Sequence, residues 1–246
     1  MTYEPRSFWE QRLTEQFDLR GTGEIGNSIA YNRACYALRR IQLEHVLRAE
    51  GIGLAGRRVL DVGCGTGFFT ELYLEHGAHV TGLDITEASI ERLRERFPQA
   101  EFVRADVSDE PPAGTYDVVN AFDVLYHITD DARWSRAVRN LANAVAPGGI
   151  FLITDVFDRA DGLAEHNVVR PLSVYRSVLE GAGLQVGGLT PTHVLLNRHL
   201  GVWRFVNRAP WLLYGIDRTL LALGLTLPRK TNKILVARRR GPDAGA

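Results

Sequence analysis

The stretch Val59-Leu60-Asp61-Val62-Gly63-Cys64-Gly65-Thr66-Gly67 decides how this chain reads. Its first half is a short apolar run suited to a buried strand. Its second half sets glycines at alternate positions, just where a helical pattern begins at Phe68. Glycine tolerates positive φ and lets a ligand come close to the backbone, so this strand–loop–helix junction implies a ligand pressed against the loop. A dinucleotide fingerprint needs G-x-G-x-x-G with pyrophosphate at the helix N-terminus. Here the third glycine comes one residue early and Phe68 takes its place. Asp61 also sits where it repels a pyrophosphate and suits a ligand that carries an ammonium group.

Working outward, short β-rich runs alternate with helical patterns. Strands are expected over 58–62, 79–84, 101–106, 116–124 and 150–154, and helices over 68–76, 87–97, 130–146 and 171–180. Thr86 reads as a helix N-cap, and Pro147-Gly148-Gly149 as a helix stop. Two further strands are expected over 184–196 and 233–238. The alternation predicts an α/β fold of doubly wound, Rossmann-like type, with helices on both faces of a mostly parallel sheet. Residues 1–55 read as a helical cap or lid around the Gly21–Gly26 loop, with a strong amphipathic helix over 31–50. Residues 56–240 form the α/β domain, with a helical insertion at about 197–230, and 241–246 a tail.

Composition narrows the classes. The chain has 246 residues, 29 basic and 29 acidic side chains, and 45% hydrophobic residues. It is long enough to bury a core without staples, and its neutral balance argues against a general nucleic-acid binder. Two cysteines, Cys35 and Cys64, are too few for a disulfide framework. Residues 1–10 are polar and lack the apolar run of a signal peptide, so a cytoplasmic protein is expected. The longest greasy stretch, 210–227, is broken by Asp217 and Arg218. Its continuous helical part, roughly 22 Å at 1.5 Å per residue, falls short of the ~30 Å of a bilayer core. No stable membrane insertion is expected.

Acidic residues end the first three strands. Asp84 is placed to accept both hydroxyls of a ribose, and Asp106 lies within reach of an adenine amine. Together with Asp61 they suit an adenosine bearing an amino acid. On these residues the chain resembles the class I S-adenosylmethionine-dependent methyltransferases, small-molecule type, over roughly residues 57–157 and the closing strands. The loop Asp61–Gly67 is similar to that family's first motif, Asp84 to its ribose-binding acid, and Asp106-Val107 to its adenine-contacting pair. Residues 116–124 and Pro147-Gly148-Gly149 match the fourth-strand motif and the turn before strand five. The resemblance implies a seven-stranded sheet with an antiparallel last strand. It also implies S-adenosyl-L-methionine as cofactor, S-adenosyl-L-homocysteine as product, and cofactor contacts from Asp61, Gly63, Cys64, Gly65, Gly67, Asp84, Ile85, Asp106, Val107 and Phe122.

The donor's methyl should point to the end of the fourth strand, at Asn120-Ala-Phe-Asp123-Val-Leu-Tyr126-His127. His127 is the candidate general base, since a free imidazole titrates near 6.5. Packing at the pocket rim is the bland alternative. Asp123 and Asp155 end strands four and five and could pair on Mg²⁺, but Val156 stands where catechol-type enzymes carry Asn. No HxxxH or CxxC spacing supports another metal, and none is assigned. Substrate contacts are expected from Tyr31, Tyr126, Asp123, Asp155 and Trp203. Asn32, Tyr36, Arg39 and Arg40 share one helical face, where an Arg could meet a carboxylate. The Trp- and Leu-rich insertion reads as a substrate-side lid, a dimer face or a membrane-surface contact.

A small-molecule acceptor, partly apolar, is the leading partner, with O- or C-methylation favoured over N-methylation. The sequence Asn120-Ala-Phe-Asp123 lacks the Pro-Pro pattern of amino-methylating nucleic-acid enzymes. A homodimer remains open. So do a cofactor-binding protein of the same fold that does not methylate and, less favoured, an NAD-dependent oxidoreductase.

Overall fold

The structure is a computed structural model. It describes residues 3–157, 166–196, 201–226 and 231–241, with the backbone alone for 201–204. Two helices come first, α1 (Pro5–Glu15) and α2 (Ile29–Ala49), and the alternating part follows: β1 (Arg58–Val62), α3 (Phe68–Glu75), β2 (His79–Asp84), α4 (Glu87–Arg96), β3 (Glu101–Arg104), β4 (Tyr116–Ala121), a 3₁₀ turn Leu125–His127, α5 (Asp131–Asn143), β5 (Val145–Asp155), α6 (Leu172–Gly181) and β6 (Leu184–Pro191). A 3₁₀ segment Gly201–Arg208, α7 (Pro210–Ala222) and β7 (Lys233–Arg239) close the chain.

The strands form a single seven-stranded sheet in the order β3-β2-β1-β4-β5-β7-β6. Neighbours from β3 to β5 pair in parallel, while β7 runs antiparallel to both β5 and β6. The expected fold class holds. Strand order reverses between β1 and β4, and in open α/β sheets that switch point opens a crevice at the carboxyl ends of the strands.

Side chains alternate along each strand. Leu60, Val62, Val119, Phe151 and Ile153 face α5 and α6, where Trp134, Val138, Leu141 and Tyr175 complete one core. Val59, Val118, Ile150 and Leu152 face α2 and α3, against Leu43, Val46, Leu47, Phe69 and Leu72. A third cluster seats α7 on α2 through Leu213, Leu38, Ala34 and Tyr31. Among the described residues, no helix is long and apolar enough to cross a membrane.

The structure moves several expected boundaries. β4 stops at Ala121 because Asp123 takes φ 58°, a left-handed turn that ends extended backbone. β5 begins at Val145, so Pro147-Gly148-Gly149 lies inside a strand and α5 ends before it. The pairing jumps from Tyr116↔Val145 to Val118↔Ile150, and the glycines form that bulge. Gly148 has φ 79°, and a Cβ on Gly149 would come within 2.8 Å of the Asp117 carbonyl oxygen. β6 ends at Pro191 rather than 196 because the N–H groups of Val194, Leu195 and Leu196 turn to the Asp217 carboxylate at 2.7–3.0 Å.

Candidate functional site

One cavity opens at the switch point, enclosing about 1040 Å³ with its mouth included. Its floor comes from the strand ends: Val62 and Gly63 at the end of β1, Leu83, Asp84 and Ile85 at the end of β2, Ala105 to Ser108 after β3, and Phe122 to Val124 after β4. Cys64, Gly65 and Thr66 form one wall, and Pro5, Trp9, Leu13, Thr22 and Tyr36 from the N-terminal segment close another.

The glycine loop is built by backbone geometry. Gly63, Gly65 and Gly67 have φ of 65°, 52° and 80°, a region that costs an L-residue steric strain. The N–H groups of Gly63 and Cys64 both reach the Leu83 carbonyl, at 2.6 and 3.1 Å. A Cβ on Gly63 would strike Val124, and one on Gly65 would come within 2.6 Å of Thr22 Cγ2. Gly67 stands off the cavity wall and starts α3, where a Cβ would press on Leu93 at 2.6 Å and Phe97 at 2.9 Å. Cys64 is buried, and desolvation raises its thiol well above the ordinary value, so it is neutral and packs.

Asp84 is the best-supported acid of the site. Its Oδ2 accepts from the Gly65 N–H at 2.9 Å, and its Oδ1 accepts from the Thr86 N–H at 2.9 Å and the Thr86 hydroxyl at 2.7 Å. Burial raises its carboxyl above the usual range, against these hydrogen bonds. Thr86 holds the expected N-cap position of α4 but makes no side-chain cap bond, because its hydroxyl serves Asp84. The N-terminus of α4 is capped from far away by Glu10, whose carboxylate accepts from the Glu87 and Ala88 N–H groups at 2.7 and 3.0 Å. Arg92 adds a bond to the Leu13 carbonyl at 2.9 Å, so α1 is latched across the cavity mouth. Asp106 also lines the cavity, accepting from the Ser108 N–H at 2.9 Å and from Arg133 Nη2 at 2.7 Å.

Asp61 departs from expectation. It stands behind the loop, 2% exposed, and is absent from the cavity wall. Thr70 Oγ1 and Asn120 Nδ2 donate to it at 2.7 and 2.8 Å. Burial pushes its carboxyl up to about 6 in spite of both donors. It ties β1 to α3 and β4, fixing the loop from below.

On the other side of the cavity, His127 lines the wall beside Trp9, with ring centroids 4.8 Å apart and edge-to-face. Its Nδ1 lies 3.1 Å from the His166 carbonyl. A carbonyl can only accept, so Nδ1 carries the proton and Nε2 keeps its lone pair. Burial lowers the imidazole to about 4, leaving it neutral across the physiological range. Asp123, also at the wall, is held by Arg39 Nη1 at 2.6 Å, Asn232 Nδ2 at 2.7 Å and Thr154 Oγ1 at 3.0 Å. Burial raises its carboxyl, but the Arg39 charge and the two donors outweigh this and hold it below the ordinary value.

The remaining expected substrate contacts lie elsewhere. Asp155 is fully buried off the cavity, bonded to the Tyr175 hydroxyl at 2.6 Å and pushed up by burial to about 6. It therefore does not face Asp123 across an open ligand position. Tyr31 is enclosed in the α2–α7 cluster, because its helix turns that face toward Leu213. Tyr126 sits beside His127, ring centroids 4.4 Å apart, but off the wall. The Trp203 side chain lies outside the described residues. Arg40 points outward to Glu44 and Glu75. Among the described residues, no group of three or more His, Cys, Asp or Glu side chains is gathered as a metal site. Trp9, Leu13, Thr22, Glu10 and Arg133 were not legible in the sequence. α1 buries only Leu13 among its residues, so it carries no clear hydrophobic period.

A doubly wound sheet with a glycine loop and a strand-end acid facing one cavity defines an α/β protein built to hold a nucleoside-like ligand. The family model of the methyltransferase domain matches residues 31–193, and this chain belongs to that family. It is 35% identical over 120 residues to the ubiquinone biosynthesis O-methyltransferase of Vibrio parahaemolyticus, covering 46% of this chain and 49% of that protein. It is also 35% identical over 101 residues to a probable S-adenosylmethionine-dependent methyltransferase of Mycolicibacterium smegmatis, covering 41% and 38%. The chain thus spans about half the length, or less, of these curated relatives. Among solved structures it is similar in fold to the magnesium protoporphyrin IX methyltransferase of Synechocystis, solved with bound S-adenosylmethionine, with TM-score 0.62, 17% identity and 96% and 98% coverage. It is likewise similar to the cyclase SpnF, with TM-score 0.53, 20% identity and 76% coverage of each chain.

Proposed function

We propose that the cavity binds S-adenosylmethionine and that the protein transfers its methyl group to a hydroxyl of a small, partly apolar acceptor. The charge of the cavity wall carries this reading. Asp84, Asp106 and Asp123 line it; among the described lining residues Arg133 is the one cation and is bonded to Asp106, Arg39 pairs with Asp123, and Asp84 is left without a cation. Such a wall suits a cationic ligand and opposes a pyrophosphate. The residues fit the donor: Asp84 would hold the ribose hydroxyls, the 63–65 backbone would take the amino-acid end, and Ile85, Val107 and Phe122 would flank the base. Asp106 keeps acceptor capacity beside its bond to Arg133.

The donor supplies an activated methyl on a sulfonium, and the protein supplies alignment and a proton acceptor. Transfer of that methyl to the acceptor oxygen, with release of the thioether, would make the hydroxyl proton strongly acidic. A neutral imidazole takes it even with a lowered pKa, and His127 Nε2 has the lone pair to do so. Trp9, Phe68, Phe69 and Phe122 give the cavity its apolar share, which suits an aromatic or isoprenoid-like acceptor. Relatives named for O-methylation support oxygen as the methylated atom.

Calorimetric titration with S-adenosylmethionine and S-adenosylhomocysteine tests the proposal, with NADH as control. Asp84→Ala should weaken binding at least tenfold, about 1.4 kcal/mol. No binding of either sulfur ligand overturns it.

A further inference from the structure

α7 is apolar on both of its sides. At 100° per residue, Pro210, Leu213, Asp217, Leu220 and Leu221 share one side, and Leu213 is packed on α2. The opposite side should be polar if water covered it. Instead it presents Trp211 at 55% exposure, Leu212 at 61% and Ile216 at 38%, with Leu223 just past the helix end at 67%. The one hydroxyl on this arc, Thr219, donates back to the Gly215 carbonyl at 2.9 Å, so it asks nothing of a solvent shell.

The charge on the same segment is one-sided. Within residues 205–226 the exposed ions are Arg208 and Arg218. Asp217 is fully buried, with its carboxylate committed to three backbone N–H groups. A second copy of this chain docking here by two-fold symmetry would meet the same arginines with no carboxylate of this segment opposite them. An anionic lipid surface offers both what the arginines lack and a boundary layer for Trp and Leu.

We infer that α7 lies on anionic membrane surfaces, in the plane of the headgroups, with Trp211, Leu212, Ile216 and Leu223 entering the acyl boundary and Arg208 and Arg218 contacting lipid phosphates. The inference is independent of which acceptor the cavity takes. α7 is seated on α2, which also carries the cavity residue Tyr36, so the bound surface would lie against the cap helices.

Vesicle flotation of the full chain tests it, using equal parts phosphatidylglycerol and phosphatidylcholine against phosphatidylcholine alone. The chain should float with the anionic vesicles and release at high salt. Trp211→Ser with Leu212→Ser should reduce partitioning by about tenfold or more, since each buried CH₂ is worth about 0.8 kcal/mol. Arg208→Ser and Arg218→Ser should each reduce it by about fivefold on the anionic vesicles only. All these side chains face outward, so thermal melting should be unchanged and a folding defect is separable. Failure of the wild type to float overturns the inference. So does a concentration-dependent dimer in analytical ultracentrifugation that Trp211→Ser with Leu212→Ser abolishes while flotation persists, because a second copy then covers the face.

Discussion

Glu10→Ala should open the α1 latch without unfolding the sheet. Glu10 is the side-chain cap of α4, because Thr86 has given its hydroxyl to Asp84. Hydrogen bonds to a charged acceptor contribute about 1.5–3 kcal/mol each when well shielded, and a carboxylate at a helix N-terminus adds about 0.3–1 kcal/mol. Partial solvent access reduces the sum, so removal should cost about 2 kcal/mol locally, a roughly 30-fold shift toward the open state. The other ties of α1 stay in place: Leu13 is buried with its carbonyl on Arg92, Trp9 packs on His127, and Arg12 bonds the Gly21 and Gly23 carbonyls, so α1 loosens rather than detaches. Native-state hydrogen exchange reads this directly. Amides of α1 and of the first turn of α4 should lose about 30-fold in protection, while those of β1 and β4 hold. Glu10→Gln keeps an acceptor and should fall between. Unchanged α1 exchange in Glu10→Ala would refute the latch.

Other perturbations test the site. With His127 lowered to about 4, its neutral form persists as pH falls and is lost only through about pH 4. Methyl transfer should therefore stay flat from about pH 8 to 5; a midpoint near the ordinary 6.5 would refute the burial-lowered imidazole, and one that persists in His127→Gln would show that another group takes the proton. His127→Gln should lower turnover with little change in donor affinity, as titration calorimetry would show. Arg39→Met leaves the Asp123 carboxylate buried without its cation, and such a loss costs about 3–5 kcal/mol, visible as a large drop in Tm. Adding Asp123→Asn, which still tolerates the left-handed backbone, should recover most of it; no recovery would mean that the pair is not what Arg39 stabilises.

The core alternation was readable from residues alone because period 2 in strands and period 3.6 in helices follow from local geometry. The loop 63–67 and the acids at strand ends were readable for the same reason, since each lies at a fixed place in a βαβ unit. Two boundaries failed where a long-range partner overrode a local signal. Pro147-Gly148-Gly149 reads as a stop, yet β4 accommodates it as a bulge. Residues 192–196 read as strand, yet the Asp217 carboxylate takes their donors.

By itself the sequence determined the doubly wound sheet, the glycine loop and the presence of Asp84 and Asp106 at its carboxyl edge, all local consequences of backbone sterics and hydrophobic spacing. Only the tertiary structure decided what each acid does. Asp61 turns inward because Thr70 and Asn120 offer it donors. Asp123 faces the cavity because Arg39 holds it. Glu10 reaches a helix end more than seventy residues away. Burial and long-range pairing set charge state and direction, and neither is encoded in spacing along the chain.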